Sequence, residues 1–135
     1  MATASDEREV LEVNTAFYAA FAARDADAMD ALWAREVDVA CVHPGWDALR
    51  GRDPVMASFR AILQHDPPAI ACRDPSVHLY GEVAFVVCTE AFPGGSLVAT
   101  NVFVRERGRF RLIHHQASPA PRSSPPPVLP RRDVN

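Results

Sequence analysis

The feature that most constrains this chain is a change of hydrophobic period near its middle. Apart from one β-rich stretch at residues 37–43, apolar side chains before Gln64 return every three or four residues, the repeat of a helix face. Beyond the Pro67-Pro68 break they fall into strand patterns punctuated by turn residues. Helices first and strands after point to an α+β domain, because strands joined by short turns pair as antiparallel hairpins and not as a parallel α/β sheet. The chain has 135 residues, 48% of them hydrophobic, which suits one domain with its own core and leaves no room for two ordinary ones.

Local signals predict the elements. Ser5 reads as an N-cap, Asp6 and Glu7 suit a helix N-terminus, and Val10, Leu11, Phe17, Tyr18 and Phe21 form a stripe, so residues 5–23 read as a helix. Asp25 or Asp27 can cap a short second helix over residues 28–34 that carries Met29, Leu32 and Trp33. A strand over residues 37–43 ends at the Pro44-Gly45 turn, and residues 46–52 read as a loop. Asp53-Pro54 reads as an N-cap followed by an N1 proline, opening a third helix that runs to Gln64. Strands follow over residues 69–73 and 76–80, on either side of Asp74-Pro75, and over 83–92. A hairpin around Gly108 joins strands at 97–107 and 110–118. The domain is therefore expected over residues 5–118, with residues 119–135 a tail. That tail holds six prolines and three arginines and few apolar residues, a composition expected to stay extended or disordered.

Charge and cysteine content narrow the function classes. A net charge of −3 argues against a nucleic-acid partner, which calls for a basic field. All 14 basic residues are arginine, so no lysine Schiff base can form. Cys41, Cys72 and Cys88 lie far apart and lack C-x-x-C spacing. With their apolar neighbours they read as buried thiols in a reducing compartment, with no metal site implied. No basic and apolar leader precedes Asp6 and no apolar run is long enough to span a bilayer, so the expectation is a cytoplasmic protein without membrane contact.

Four segments carry a family likeness. They are Phe17-Tyr18-Ala19-Ala20-Phe21 followed by Arg24-Asp25-Ala26-Asp27; Val42-His43-Pro44-Gly45-Trp46 followed by Leu49-Arg50-Gly51-Arg52; the run from Thr100 to Arg105; and the run from Arg111 to Pro119. In this order they resemble the SnoaL-like branch of the nuclear transport factor 2-like superfamily, whose fold is cystatin-like. The resemblance implies three N-terminal helices packed on a strongly bent, mostly antiparallel sheet that forms a cone around an internal pocket. That superfamily includes ketosteroid isomerases, scytalone dehydratases and polyketide cyclases. It also includes the association domain of calcium/calmodulin-dependent kinases, which assembles and does not catalyse.

The resemblance to ketosteroid isomerases puts His43 where that family keeps its catalytic carboxylate, also followed by proline, and puts Asn101 close to its acidic oxyanion donor. Imidazole suits proton abstraction next to a carbonyl, and an amide can donate to the oxygen that becomes negative. The alternatives are a histidine that fixes its turn and an asparagine that bonds the next strand. The family's tyrosine donor aligns with Phe17, which donates nothing, and Tyr18 lies about 100° further around the helix. Strand alternation allows only one of His114 and His115 to face inward, and His114 with Gln116 is the expected inward pair. Glu90 could support a histidine or act as an acid, or simply pair with an arginine at an edge. Phe17, Phe21, Trp33, Trp46, Phe59 and Phe103 are expected as core and pocket wall, with Trp46 beside the mouth.

Two function classes stay open on these residues. One is a cofactor-free isomerase, cyclase or dehydratase that moves a proton on a hydrophobic carbonyl compound, with His43 as base and Asn101 and His114 stabilising the oxygen. The other is a non-catalytic module that binds a small apolar molecule or dimerises. Thr100, Val102, Val104 and Ile113 would give the outer sheet face an apolar stripe for a homodimer.

Overall fold

The computed structural model describes residues 3–120. The first helix, α1 (Ala4–Ala22), is capped by Thr3 and not by Ser5. The Thr3 side chain accepts from the Asp6 amide at 3.0 Å and the Asp6 carboxylate accepts from the Thr3 amide at 3.2 Å, a reciprocal box that satisfies two orphan donors. Asp25 caps α2 (Ala26–Ala31) through Oδ1, which accepts from the Ala28 amide at 3.0 Å. The third helix, α3 (Arg52–Gln64), starts just before the expected Asp53. Gly51, at φ +95, takes the cap position with no side-chain bond, and the Val55 amide closes the first turn onto the Gly51 carbonyl. Pro54 sits in that first turn, where a missing N–H costs nothing.

Six strands make one sheet: β1 (Ala40–Val42), β2 (Leu49–Arg50), β3 (Ala71–Tyr80), β4 (Val83–Phe92), β5 (Gly95–Glu106) and β6 (Arg109–Ala120). Their order is β2-β1-β6-β5-β4-β3. All neighbours are antiparallel except β1 and β6, which run parallel. The expected 37–43 strand is thus regular only at its end, and the expected 46–52 loop contains the short β2. The two strands expected around Asp74-Pro75 are one strand, with a register shift between Arg73 and Ser76 where Asp74 takes φ +53. The final strand continues through Pro119 to Ala120, and residues 121–135 of the expected tail lie outside the described residues.

A second irregularity lies in β6. Val102 pairs with His114 but Phe103 pairs with Leu112, so Ile113 is an extra residue on β6. Both neighbours of β6 act here. Leu112 bonds through its amide to the Leu32 carbonyl at 2.8 Å and through its carbonyl to the Ala34 amide at 2.9 Å, while residues 114–116 pair with β1. Bulges of this kind bend and twist the strand that carries them, and those in β3 and β6 help curl the sheet around the helices.

The concave face holds the core. Phe17 of α1, Met29 and Trp33 at and after α2, and Val55 and Phe59 of α3 pack on Ala84 and Val86 of β4, Phe103 of β5, and Phe110 and Leu112 of β6. Arg52 ties the helices together. Its guanidinium donates to the carbonyls of Asp30, Trp33 and Ala34 and to Asp30 Oδ1 at 2.6–3.1 Å. Arg105 bonds Asp6 at 2.9 Å and lies 4.3 Å over the Phe110 ring, fixing the start of α1 to β5. On the convex face, Thr100, Val102, Val104 and Ile113 are half-buried, Val83 and Val98 are exposed, and His78 and Tyr80 stack with Phe85.

Candidate functional site

Between α1, α3 and the concave sheet face lies a half-open cavity of about 230 Å³. Its walls are apolar: Phe17 and Phe21 from α1, Phe59 and Ile62 from α3, Pro67, Pro68 and Ile70 from the following segment, and Leu97 from β5. Trp46 lines it too and is 47% exposed. Four buried titratable side chains also line it: Tyr18, His43, Glu90 and His115.

His43 reaches the cavity from the end of β1 through a tight turn. Pro44 and Gly45, the latter at φ +81, occupy its central positions, and the Trp46 amide donates to the His43 carbonyl at 2.9 Å. Glycine tolerates that left-handed backbone and proline presets the position before it. The turn folds the Trp46 ring edge-on against the imidazole, with centroids 4.8 Å apart. Nε2 of His43 is 2.8 Å from Ser58 Oγ, and that hydroxyl also lies 2.6 Å from the Val55 carbonyl. A carbonyl can only accept, so the one hydroxyl proton goes to Val55 and Ser58 accepts from Nε2–H. This tautomer leaves Nδ1 bare. Burial holds the imidazole down at about 4, so it is uncharged at neutral pH.

The last strand presents His115 to the cavity and not His114. Phe110 and Leu112 point inward as expected, but the extra residue Ile113 switches the parity, so His115 and Ala117 follow them inward. His114 is half-buried on the other side, with Nδ1 3.1 Å from the Ala40 carbonyl, and Gln116 is exposed. Of the other expected residues, Phe17, Phe21, Trp46, Phe59 and Glu90 line the cavity. Trp33 and Phe103 do not; both are fully buried core packing.

Asn101 does not reach the cavity either. It stands behind His115, wholly buried, and organises a polar network. Its amide nitrogen donates to Asn14 Oδ1 at 2.8 Å and to Tyr18 Oη at 3.2 Å, and its Oδ1 accepts from His115 Nδ1 at 2.5 Å. Tyr18 in turn donates to Glu90 Oε2 at 2.7 Å, and Glu90 Oε2 stands 3.9 Å from His115 Nε2. Burial raises the Glu90 carboxyl, with the Tyr18 bond working against the shift. Burial first, then the nearby His43 and His114, hold His115 down at about 3. Burial and then the Glu90 charge push the Tyr18 phenol up. The surroundings oppose charge of either sign.

Asn14, Tyr18, Ser58 and His115 were not singled out as site residues from sequence. Asn14 and Tyr18 had a usable signal: they are polar residues four apart on the apolar stripe of a helix, hence on one face. The assignment of His115 had none, because no glycine or proline marks the bulge. Among the described residues no three His, Cys, Asp or Glu side chains converge closely enough to hold a metal ion, and no helix is long and apolar enough to cross a membrane.

Comparison with known proteins agrees with this architecture. A candidate dehydratase of the nuclear transport factor 2-like family from Streptomyces avermitilis is 34% identical and superposes with a TM-score of 0.79, covering 86% of this chain and 96% of that one. A candidate calcium/calmodulin-dependent protein kinase type II association domain from Thiobacillus denitrificans is 33% identical with a TM-score of 0.73, covering 81% and 93% respectively. The F-box protein SKIP8 of Arabidopsis thaliana is 27% identical over 118 residues, 82% of this chain, and the match spans about half (49%) of that relative's length. The SnoaL-like domain model matches residues 10–122. On that match and on the shared fold, this chain belongs to the SnoaL-like family, a branch of the nuclear transport factor 2-like superfamily.

Proposed function

We propose that this chain is a cofactor-free enzyme that moves a proton on a small, apolar carbonyl compound, an isomerase, cyclase or dehydratase by class. The observation that carries the reading is the convergence of His43, Glu90 and His115 in a cavity otherwise walled by aromatic and aliphatic side chains. His43 is the general base. Its Nδ1 is unprotonated, and its pKa of about 4 is close to the value of about 4.6 found for the aspartate base of ketosteroid isomerase. Glu90, raised by burial and held by Tyr18, supplies or receives the second proton. Asn101, expected as a direct donor, supports the site by bonding His115 and Tyr18. The role expected for His114 passes to His115. The cavity is smaller than the roughly 300–1,000 Å³ of drug-sized pockets, which favours a monocyclic or short-chain ligand.

The test is hydrogen–deuterium exchange at the methyl group of acetophenone and at the ring carbons of cyclohexanone in deuterium oxide, followed by NMR. The wild type should accelerate exchange over buffer, and His43→Ala should lose most of that acceleration. No acceleration by the wild type, or an equal one in the variant, would refute the reading.

The convex face supports a second role. Its half-buried valines and the Phe85, His78 and Tyr80 stack make an apolar surface, and a relative at 33% identity is a candidate association domain. A homodimer through this face is the arrangement proposed. Light scattering should give twice the 14.8 kDa chain mass, and Val102→Asp should return it to one.

A further inference from the structure

We propose that His115 and Glu90 form a hydroxyl-recognising subsite, so that the ligand of this cavity is a hydroxylated carbonyl compound. This rests on the reading of the cavity as the functional site and adds the chemical group that the site selects.

Asn101 fixes the polarity of the subsite. Both of its amide protons are committed, one to Asn14 Oδ1 at 2.8 Å and one to Tyr18 Oη at 3.2 Å. Its oxygen is therefore the atom that meets His115 Nδ1, and Nδ1 must carry the imidazole proton. Nε2 is left with a bare lone pair and no donor among the described residues: Glu90 Oε2 stops 3.9 Å away, beyond hydrogen-bond length. On Glu90, Tyr18 occupies Oε2, and Oε1 has no hydrogen-bond partner among the described residues. His115 is 5% exposed and Glu90 3%, yet both line the cavity, so their unpaired atoms face its interior. Neither atom is fully buried: among the described residues Trp33 Nε1 is the buried side-chain nitrogen or oxygen left without a partner, so the free atoms of His115 and Glu90 are open to a ligand.

One oxygen can satisfy both groups. Placed about 2.8 Å from His115 Nε2 and from Glu90 Oε2, which stand 3.9 Å apart, it makes an angle of roughly 90° at that oxygen. That is a workable geometry for a hydroxyl that donates to Nε2 and accepts from the carboxyl in the protonated form that burial favours, while Oε2 still receives the Tyr18 bond on a lone pair. An ether or a carbonyl offers no proton to Nε2. An ammonium group would bring charge into surroundings that hold both histidines neutral and raise the Glu90 carboxyl. A neutral hydroxyl is the donor that fits.

The experiment is isothermal titration of the full chain with the three hydroxyacetophenone isomers, acetophenone, the matching methoxy ethers and benzylammonium. At least one hydroxy isomer should bind about tenfold or more tightly than acetophenone and its own methoxy ether. Glu90→Gln and His115→Phe should each reduce that preference to under about threefold. Nitrogen-15 NMR of the wild type, which needs no variant to fold, should show His115 protonated on Nδ1 and should show the Nε2 resonance shift when the hydroxy isomer binds. The inference falls if no hydroxy isomer is preferred, if benzylammonium binds most tightly, or if His115 carries its proton on Nε2. The proton-exchange test with unhydroxylated ketones is independent of these outcomes. Exchange without hydroxyl preference would sink the subsite alone, and hydroxyl preference without exchange would sink the catalytic reading alone.

Discussion

Lowering the pH from 7.5 to 5 should destabilise this protein through two buried histidines, and the size of the effect can be worked out. His43 falls from an ordinary value of 6.5 to about 4 and His115 from 6.5 to about 3, in both cases chiefly because burial disfavours the charged ring. Both values are depressed. The unfolded chain therefore binds protons below pH 6.5 that the native chain refuses, and stability is present above that pH and lost below it. At pH 5 each histidine is about 97% protonated when unfolded and largely neutral when native, which costs roughly 2 kcal/mol apiece. The pair costs roughly 4 kcal/mol, a large share of the 5–15 kcal/mol typical of a domain. With a urea m-value of about 2 kcal/mol per M, the unfolding midpoint should fall by roughly 2 M between the two pH values. Glu90 works in the opposite direction: its raised carboxyl contributes stability at low pH that is lost as the pH rises through its folded value. The comparison is therefore made against a His43→Gln, His115→Gln double variant, in which Glu90 is kept. That variant should lose roughly 4 kcal/mol less than the wild type over the same interval. Equal losses in the two proteins would show that neither imidazole is held neutral and would refute the account of the site's electrostatics.

Other expectations test the frame around the site. Arg52→Leu should cost roughly 2–4 kcal/mol in urea unfolding, because it strips donors from three backbone carbonyls and from Asp30. A cost under 1 kcal/mol would mean that this clamp is not needed to hold α2 against α3. Phe103→Ala removes a fully buried ring from the core and should cost about 3–5 kcal/mol while leaving the cavity-lining residues unchanged. Trp46→Ala should cost under about 1 kcal/mol of stability, since nearly half of its surface is exposed, yet should weaken binding of the hydroxyacetophenone that binds best by about tenfold or more. Unchanged affinity would remove Trp46 from the site.

The sequence by itself determined the element types and their order, except that the two-residue β2 was expected as loop and β3 as two strands. Each was set by short-range chemistry: a three-to-four-residue apolar repeat, a run of β-formers, a Pro-Gly turn, a double proline. Helix ends moved by only a few residues, because several polar residues near each start could serve as caps and the competition between Thr3 and Ser5 is settled by the reciprocal bond that Asp6 supplies. His43 was legible because its turn is written locally, and so was the broad class of the cavity wall. The identity of the second histidine was not. Alternation along β6 predicted His114, and the tertiary structure chose His115. Leu112 is held on the segment after α2 while residues 114–116 pair with β1, and meeting both neighbours leaves Ile113 over as a bulge. Only tertiary structure could decide Asn101 for the same reason. Its place behind His115 depends on partners 87 residues away at Asn14 and 83 away at Tyr18, on a helix whose facing is set by packing. Local preference can define a helix or a strand, but the proton positions on His115 and the free atoms of Glu90 follow from contacts that exist only once the sheet has closed over α1.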